Sequence, residues 1–418
     1  MKVIVSHPGK QHSFQLAEAL QKKNILYKYI TSVYTKSHSF TGLLAKISKG
    51  DLKKKLSTRY CSSIPTKKVK QFKEFNVIVT LFLNRLPYIQ RFTEWWNFIT
   101  ESGFYKKVMK FARKESVDAV IYYNGYANKH LNILAGRNIV KIMDVSIGHR
   151  LSLQRILDKE IKESGIDKIR KEHLSYWNSK MIMNDLEGCS QTDYFLAASD
   201  FVKQSLIENG IKEEQIKLVP YGVNISQFTP LQDKKLLKHS ETLRLLYVGS
   251  ISYRKGIHRL LHVVSKMKGV EINLAGSFNP ESEIYAFYKD FDNINFHGFV
   301  TRDRLNILYN QSHVFVLPSF CEGMAMVGLE AMSAGLPIIC TTNTGVNDVV
   351  VDGENGFVYP PNDECSLKNH IEWFLKNPDK LQYMSAAART TSLRYSWEIY
   401  HENVAKAIIE CVEEFRKK

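Results

Sequence analysis

Two glutamates with seven residues between them, Glu322 and Glu330, have the residue type and spacing to bind a polyhydroxylated ligand. They lie in the segment Pro318–Pro337, after an apolar strand predicted over His313–Leu317 and around a helix predicted over Met326–Ala334. Carboxylates accept hydrogen bonds from vicinal hydroxyls, as on a ribose or a hexose. The N-terminus of a helix offers unpaired N–H groups that favour phosphate. The combination predicts a site for a sugar nucleotide.

Four blocks of sequence, in one order, resemble the retaining glycosyltransferases of family 4, which have the two-domain GT-B fold. The resemblance rests on the E-x7-E signature and three further segments, so it is more specific than two glutamates alone. It covers about the second half of the chain at the level of motifs, and the rest more loosely. The blocks are Thr192–Phe228, Leu245–Leu261, Pro318–Pro337 and Gly335–Asp363.

The resemblance implies a role for each residue of the signature segment. Glu330 would hold the ribose hydroxyls of the donor, and Glu322 would hold the hexose and help to stabilise the reacting centre. Ala325 stands where the family often has a second glycine, and alanine still allows close approach of the backbone. The N–H groups expected to meet the diphosphate belong to Gly323, Met324, Ala325 and Met326.

Arg254 and Lys255 are candidate cations for the departing nucleoside diphosphate. They lie in GSISYRKG, and fixed cations stabilise developing negative charge without a metal. The family usually has an arginine directly after the glycine of this strand, where this chain has Ser250. Lys255 matches the family's lysine, and Arg254 is expected to supply the missing guanidinium. The alternative is a solvated helix start.

His149 follows a predicted strand and so lies at the carboxyl edge of a sheet. The family has a histidine near the donor sugar in a comparable place, and a neutral imidazole can position a hydroxyl. His7 and His12 compete for this role. In the loop between them, Gly9 would let the backbone approach the donor phosphate and Lys10 would add charge.

Val300 and a nearby pair of aspartates complete the set of candidates. Val300 follows a predicted strand at the place where the family reads the nucleobase through backbone groups. Because backbone groups make these contacts, side chains do not encode the identity of the base. Among the possible donors, a UDP-sugar is favoured. Asp290 and Asp292 form a D-x-D pattern that we interpret as a solvated loop. No other spacing indicates a metal, and no cofactor besides the donor is expected.

The chain of 418 residues is too long for one ordinary core and predicts two α/β domains, each a doubly wound parallel sheet, facing each other across a cleft. The resemblance implies that residues 1–220 bind the acceptor, that residues 221–396 bind the donor, and that residues 397–418 return to the first domain as a helix. The predicted strands are Val3–Ser6, Tyr27–Ile30, Val77–Phe82, Ala119–Tyr123, Val140–Met143, Tyr194–Ala197, Leu243–Val248, Glu271–Leu274, Val314–Leu317 and Ile338–Cys340.

Charge and cysteine content bound the possible partners. Of the net charge of +16, residues 1–75 carry +13, with 16 Lys/Arg against three acidic residues. Such a field attracts polyanions, including anionic lipid. An apolar stripe and a lysine run over residues 40–60 predict either a basic helix at a membrane surface or a helix packed on its own domain. Six scattered cysteines, and no recognisable secretory signal or spanning segment, favour the cytoplasm, including its membrane face.

Together these features favour a metal-independent, retaining glycosyltransferase that moves a sugar from a nucleotide-diphosphate sugar to a glycan or lipid-linked acceptor in polysaccharide, capsule or lipopolysaccharide assembly. Three alternatives stay open at this point. One is a GT-B epimerase or hydrolase of sugar nucleotides, another is a catalytically idle homologue, and the third is a nucleic-acid-binding protein that uses the basic N-terminal region. The last of these leaves the two glutamates unexplained.

Overall fold

The computed structural model describes the chain except residues 38, 48, 84–89, 126–127, 232–240 and 418. Its strands form two parallel sheets that are covered by helices, as expected for apolar strands connected by crossovers. The strands are β1 Val3–Ser6, β2 Leu26–Thr31, β3 Val69–Gln71, β4 Ala119–Tyr123, β5 Val140–Val145, β6 Tyr194–Ala197, β7 Ile216–Leu218, β8 Leu243–Val248, β9 Val270–Ala275, β10 Ile294–Gly298, β11 Val314–Leu317, β12 Ile338–Thr341 and β13 Gly356–Tyr359.

The two sheets have the same winding. The first has the order β3-β2-β1-β4-β5-β6-β7 and the second β10-β9-β8-β11-β12-β13. In each sheet the winding reverses beside the first strand of that sheet, between β1 and β4 and between β8 and β11. Ligands of open parallel sheets bind outside the carboxyl ends of the strands at such a reversal. The chain therefore has two Rossmann-like domains, each with one such crevice.

Sixteen helices are described. They are α1 Ser13–Lys22, α2 Phe40–Ile47, α3 Gly50–Ser57, α4 Glu74–Leu83, α5 Gln90–Glu115, α6 Arg150–Ser164, α7 Lys168–Glu172, α8 Ser179–Gln191, α9 Asp200–Ile207, α10 Ile257–Val264, α11 Glu283–Tyr288, α12 Arg302–Gln311, α13 Met326–Ser333, α14 Glu364–Lys376, α15 Lys380–Ser392 and α16 Trp397–Lys417. Among them, none combines the length and apolarity needed to cross a membrane.

The alternation of strands and helices is confirmed, with one helix predicted as a strand and with β3, β7, β10 and β13 absent from the predicted ranges. The strand predicted over Val77–Phe82 is part of helix α4. A short apolar run fits a buried strand and a buried helix equally well, and the place beside β2 is taken by β3, a strand of three residues that the prediction missed.

The last helix joins the end of the chain to the first domain. In the packing of α16 against α1, His401 Nε2 lies 2.7 Å from Gln15 Oε1, and Lys22 Nζ lies 2.9 Å from His401 Nδ1. The joint predicted near Pro220 falls between β7 and β8, the strands that end the first sheet and begin the second. The last helix thus holds the two sheets together, with a cleft between their carboxyl edges.

Candidate active site

The loop between β11 and α13 carries Glu322 and touches the other domain. A side chain at Gly323 would place its Cβ 2.0 Å from the carbonyl oxygen of Ser146, which follows β5 in the first domain. Ser199 Oγ, also in the first domain, donates to the Gly323 carbonyl at 2.5 Å. The Glu322 carboxylate therefore lies at the seam of the two domains.

Glu322 forms an ion cluster with Arg254 and Lys255. Lys255 Nζ donates to Glu322 Oε1, and Arg254 Nη1 lies 3.4 Å from the same oxygen and 2.6 Å from the Cys321 carbonyl. The Glu322 side chain is only 12% exposed. Burial works to raise the pKa of Glu322, but Lys255 and Arg254 outweigh it and hold that pKa below its usual range. The carboxylate is thus ionised and paired.

The local backbone brings these three side chains together. Gly256, which precedes α10, has a left-handed φ of 69°, and a Cβ there would meet the Pro318 carbonyl oxygen at 1.9 Å. Glycine is therefore required for the loop after β8 to contact the loop after β11. Phe320 N donates to the Arg254 carbonyl at 3.0 Å across the same contact. Ser250 lies exposed at the start of this loop, and its carbonyl accepts from Tyr247 Oη at 2.9 Å.

Glu330 lies within α13, the helix that follows the loop of Glu322. Its Oε2 accepts a hydrogen bond from Tyr309 Oη at 3.3 Å. Burial raises the pKa of Glu330 to about 7, although Arg302 and the Tyr309 hydroxyl oppose the rise. Glu330 therefore differs from Glu322, because no cation forms an ion pair with it in the part of the chain that the structure describes.

The N-terminus of α13 is only partly free for an anion. The N–H of Ala325 donates to the Thr344 carbonyl at 3.0 Å, so that group is already used. Met324 Sδ lies 3.1 Å from the N–H of Tyr221 and ties the loop to the joint between the domains. Met326 begins the helix, whose first-turn N–H groups have no partner within a helix. Of the expected phosphate contacts, Ala325 is thus the least accessible.

Across the cleft, the loop after β1 presents Gly9 and Lys10. Gly9 N donates to His7 Nδ1 at 2.8 Å, which fixes the turn. Burial lowers the pKa of Lys10, and the nearby charges of Arg302 and Arg59 lower it further. A cation of the first domain therefore lies close to Arg302, which begins α12 two residues after Val300. The Val300 loop and the Gly9 loop face the same cleft.

His149 is buried immediately before α6, three residues after Ser146. Its Nδ1 accepts from Leu151 N at 3.4 Å, while its Nε2 has no partner among the described residues. Burial lowers the pKa of His149 to about 4, with help from Arg155 and Arg150, so the ring is neutral. The ring lines a small cavity of about 40 Å³, and its Nε2 is itself buried. A neutral imidazole with one unbonded nitrogen is suited to contact a ligand hydroxyl.

His7 and His12, the competing histidines, are bound within the first domain. Burial lowers the pKa of His7 to about 4. His12 Nε2 lies 3.0 Å from Asp144 Oδ2, and Tyr221 Oη donates to Asp144 Oδ1 at 3.2 Å. This places His12 at the joint between the domains. Asp144 and Tyr221 were missed by sequence reasoning, because their partners are more than 70 residues away.

The segment after α6 brings further side chains to the site that sequence reasoning also missed. Burial raises the pKa of Tyr176, and Cys321, Arg254 and Glu322 act on it electrostatically. Burial has the opposite effect on His173 and lowers its pKa to about 4, and the charges of Arg254 and Lys255 lower it further. No motif marks these residues. Asp290 and Asp292, in contrast, lie in an exposed turn between α11 and β10.

Comparison with known families identifies the second half of the chain. Residues 228–391 match the model of the family described as glycosyl transferases group 1. The capsular polysaccharide biosynthesis glycosyltransferase CapM of Staphylococcus aureus is 31% identical over 194 residues, which are 42% of this chain and 50% of that protein. The chain spans about half the length of the curated relatives it matches first. Residues 228–391 are thus similar to group 1 glycosyltransferases, and the similar proteins include one of polysaccharide biosynthesis.

Solved structures share the fold over nearly the whole chain. Sucrose-phosphate synthase from Thermosynechococcus elongatus has a TM-score of 0.68 at 17% identity, covering 98% of this chain and 98% of that chain. HepE from Anabaena in complex with UDP has a TM-score of 0.63 at 16% identity, covering 98% and 100%. At these identities the likeness concerns the fold alone. The predicted GT-B architecture is confirmed.

Proposed function

Since residues 228–391 are group 1 glycosyltransferase sequence, we propose that this protein is a retaining glycosyltransferase of polysaccharide, capsule or lipopolysaccharide assembly. It transfers a sugar from a nucleotide-diphosphate sugar to a hydroxyl of a glycan or lipid-linked acceptor, without a metal. The observation that carries the proposal is the cluster of Glu322, Lys255 and Arg254 at the seam of the domains.

The charges of that cluster fit a nucleotide-diphosphate sugar. Lys255 has three N–H donors and Arg254 has five, and Glu322 together with the Cys321 carbonyl uses only part of them. The remaining donors are free to bind the diphosphate, while Glu322 binds a hydroxyl of the sugar. An anion that binds beside Lys255 and Arg254 leaves no buried group without a partner. The site is therefore preorganised for negative charge.

The rest of the donor is assigned to α13 and the loops beside it. The Glu330 carboxylate accepts hydrogen bonds from the ribose hydroxyls, and the backbone at Val300 contacts the base. Gly9, Lys10 and the first N–H groups of α13 add donors around the phosphates. We favour a UDP-sugar, with support from HepE, whose structure contains UDP.

The chemistry proposed is a same-face substitution. The acceptor oxygen bonds to the anomeric carbon while the bond from that carbon to the diphosphate oxygen breaks, and the leaving oxygen takes the proton of the acceptor hydroxyl. His149 positions a donor hydroxyl through its unbonded nitrogen. The share of the protein is to orient both substrates, stabilise the diphosphate and exclude water by closing the cleft.

Residues 40–60 support a lipid-linked acceptor at an anionic membrane. In α2, Phe40, Leu43 and Ile47 are 43%, 55% and 68% exposed, so these three residues of the apolar stripe are turned outward, while Leu44 is half-buried. Phe75 joins them, 64% exposed, with its ring centroid 6.2 Å from that of Phe40. An apolar face beside a lysine run is typical of helices that bind anionic lipid, and it predicts peripheral contact at the cytoplasmic face.

A thermal-shift panel of nucleotides and sugar nucleotides tests the donor proposal. A ligand that binds the native state alone raises the melting temperature by mass action. We expect UDP and a UDP-sugar to raise it in the wild type and to lose that effect in Glu330→Ala. No shift with any nucleotide would contradict the proposal and would favour an idle homologue instead.

A further inference from the structure

A second cavity lies in the first domain, beside the proposed donor site. It opens where β1, β4 and β5 end, and its far wall is formed by α4 and α5. Its volume is about 410 Å³, enough for a sugar ring with its substituents. Ser146, which lines it, is the residue that Gly323 contacts, so the cavity reaches the seam beside Glu322.

Two buried hydroxyls in the cavity wall have no partner. The Thr100 side chain is 2% exposed and Tyr123 is 3% exposed, and neither hydroxyl has a hydrogen-bond partner among the residues that the structure describes. An unpaired buried hydroxyl costs about 1–3 kcal/mol, which is why such groups are uncommon. Both oxygens lie beneath the cavity surface, so the groups available to a ligand are those that line it, Glu101 among them.

Glu101 is the one acidic residue among the described residues that line this cavity. No ion pair or hydrogen bond is found for its carboxyl within the described part of the chain, and burial raises its pKa to about 7. The one arginine among the described lining residues, Arg150, is already bonded to Asp185 at 2.5 Å and to the Ser175 carbonyl at 2.8 Å. Among the described lining residues, a phosphate would meet the Glu101 carboxyl and an arginine whose charge is already paired with Asp185. A neutral sugar would instead donate its hydroxyls to that carboxyl.

We propose that this cavity binds the terminal sugar of the acceptor as an uncharged, hydroxyl-bearing ring, and that Glu101 selects it by accepting hydrogen bonds from the ring hydroxyls. The inference rests on the proposed function, because the acceptor must present a hydroxyl to a donor held beside Glu322. It adds the chemical class of the acceptor's end group and a specificity-determining residue. Any lipid phosphate of the acceptor then lies outside the cavity.

The test uses the full chain and a panel of methyl glycosides of glucose, galactose, mannose and N-acetylglucosamine, with saturation-transfer NMR as the binding measurement. We expect at least one glycoside to bind the wild type in the millimolar range. Glu101→Ala is expected to weaken that binding roughly tenfold, the size of one lost hydrogen bond to a charged group. Glu101→Gln keeps the shape and should lose less. Glu402→Ala, on an exposed position of α16, is the control.

Three outcomes would overturn the inference. Binding of no glycoside is one, binding unchanged in Glu101→Ala is the second, and tighter binding of glycerol 3-phosphate than of every glycoside is the third. If the alanine variant does not fold, Glu101→Gln, which keeps the shape of the side chain, provides the test and should still weaken glycoside binding. Failure of the proposed function is separate, since it would appear as loss of the UDP thermal shift in the wild type.

Discussion

The two walls of the cleft treat their charges differently. In the second domain, Glu322 is buried together with Lys255 and Arg254, so its charge is compensated before any ligand arrives. In the first domain, Glu101 lies in a cavity whose one described arginine is bonded elsewhere. A preformed ion cluster suits an anionic ligand whose charge changes during reaction. An uncompensated carboxyl suits a neutral ligand rich in hydroxyls.

The largest effect is expected from Lys255→Ala. This change removes one of the two cations beside Glu322, and we expect kcat to fall by about 10²-fold, the cost of losing one charge-stabilising donor. Lys255→Arg should recover part of the rate because it restores the positive charge. Steady-state kinetics with the UDP-sugar found in the thermal-shift panel provide the measurement.

The exposed Lys268, four residues after the end of α10, provides the matched control. Lys268→Ala has the same change in net charge and should leave kcat unaltered. Equal rates in the wild type and in Lys255→Ala would show that the ion cluster is structural, and the contrast between the two walls would then lose its functional meaning.

A smaller effect is expected from Glu330→Ala. It removes the proposed ribose contact, which would be present in both the ground state and the transition state, so KM for the donor should rise roughly tenfold with kcat little changed. Initial rates over a range of donor concentrations separate the two constants. A fall in kcat at constant KM would instead assign Glu330 to the chemical step.

The pH dependence of stability distinguishes Glu330 from Glu322. Because burial raises the pKa of Glu330, the folded state binds a proton more tightly than the unfolded state. The free energy of unfolding should therefore fall as the pH rises from about 4.5 to about 7. Glu322, whose pKa is lowered, contributes in the opposite direction, with stability lost as the pH falls.

Glu330→Gln removes its own contribution and should flatten the decrease toward pH 7. Melting temperatures of the ligand-free wild type and of Glu330→Gln, taken at the two ends of that window, provide the measurement. Parallel curves for the two proteins would mean that Glu330 is ionised freely in the folded state, in conflict with its burial.

The smallest effect concerns the outer face of the first domain. Leu43→Asp places a negative charge in the exposed stripe of α2 and should abolish binding to anionic liposomes at low salt, while donor binding stays intact. Sedimentation with vesicles of anionic and of neutral lipid measures this. Absence of wild-type binding to either kind of vesicle would refute the membrane contact.

The second domain was predictable from sequence because its site is built from short loops after successive strands. Glu322, Arg254 and Lys255 are each near the end of a strand that apolar runs reveal. The first domain was less predictable. Its cavity is lined by side chains of α4 and α5, and α4 contains the apolar run that was taken for a strand. A helix can place a side chain at a sheet edge from any turn, so strand patterns carry no trace of Glu101.

The contact of Gly323 with the Ser146 carbonyl leaves room at position 323 for a hydrogen atom and for no larger group. Under the proposed function, a cleft that admits a nucleotide and then excludes water opens and closes again at this point. A methyl group at position 323 would act as a wedge, because it would lie 2.0 Å from that oxygen whenever the domains met as they do here. The rate of the proposed cycle thus depends on Gly323, a residue without a side chain.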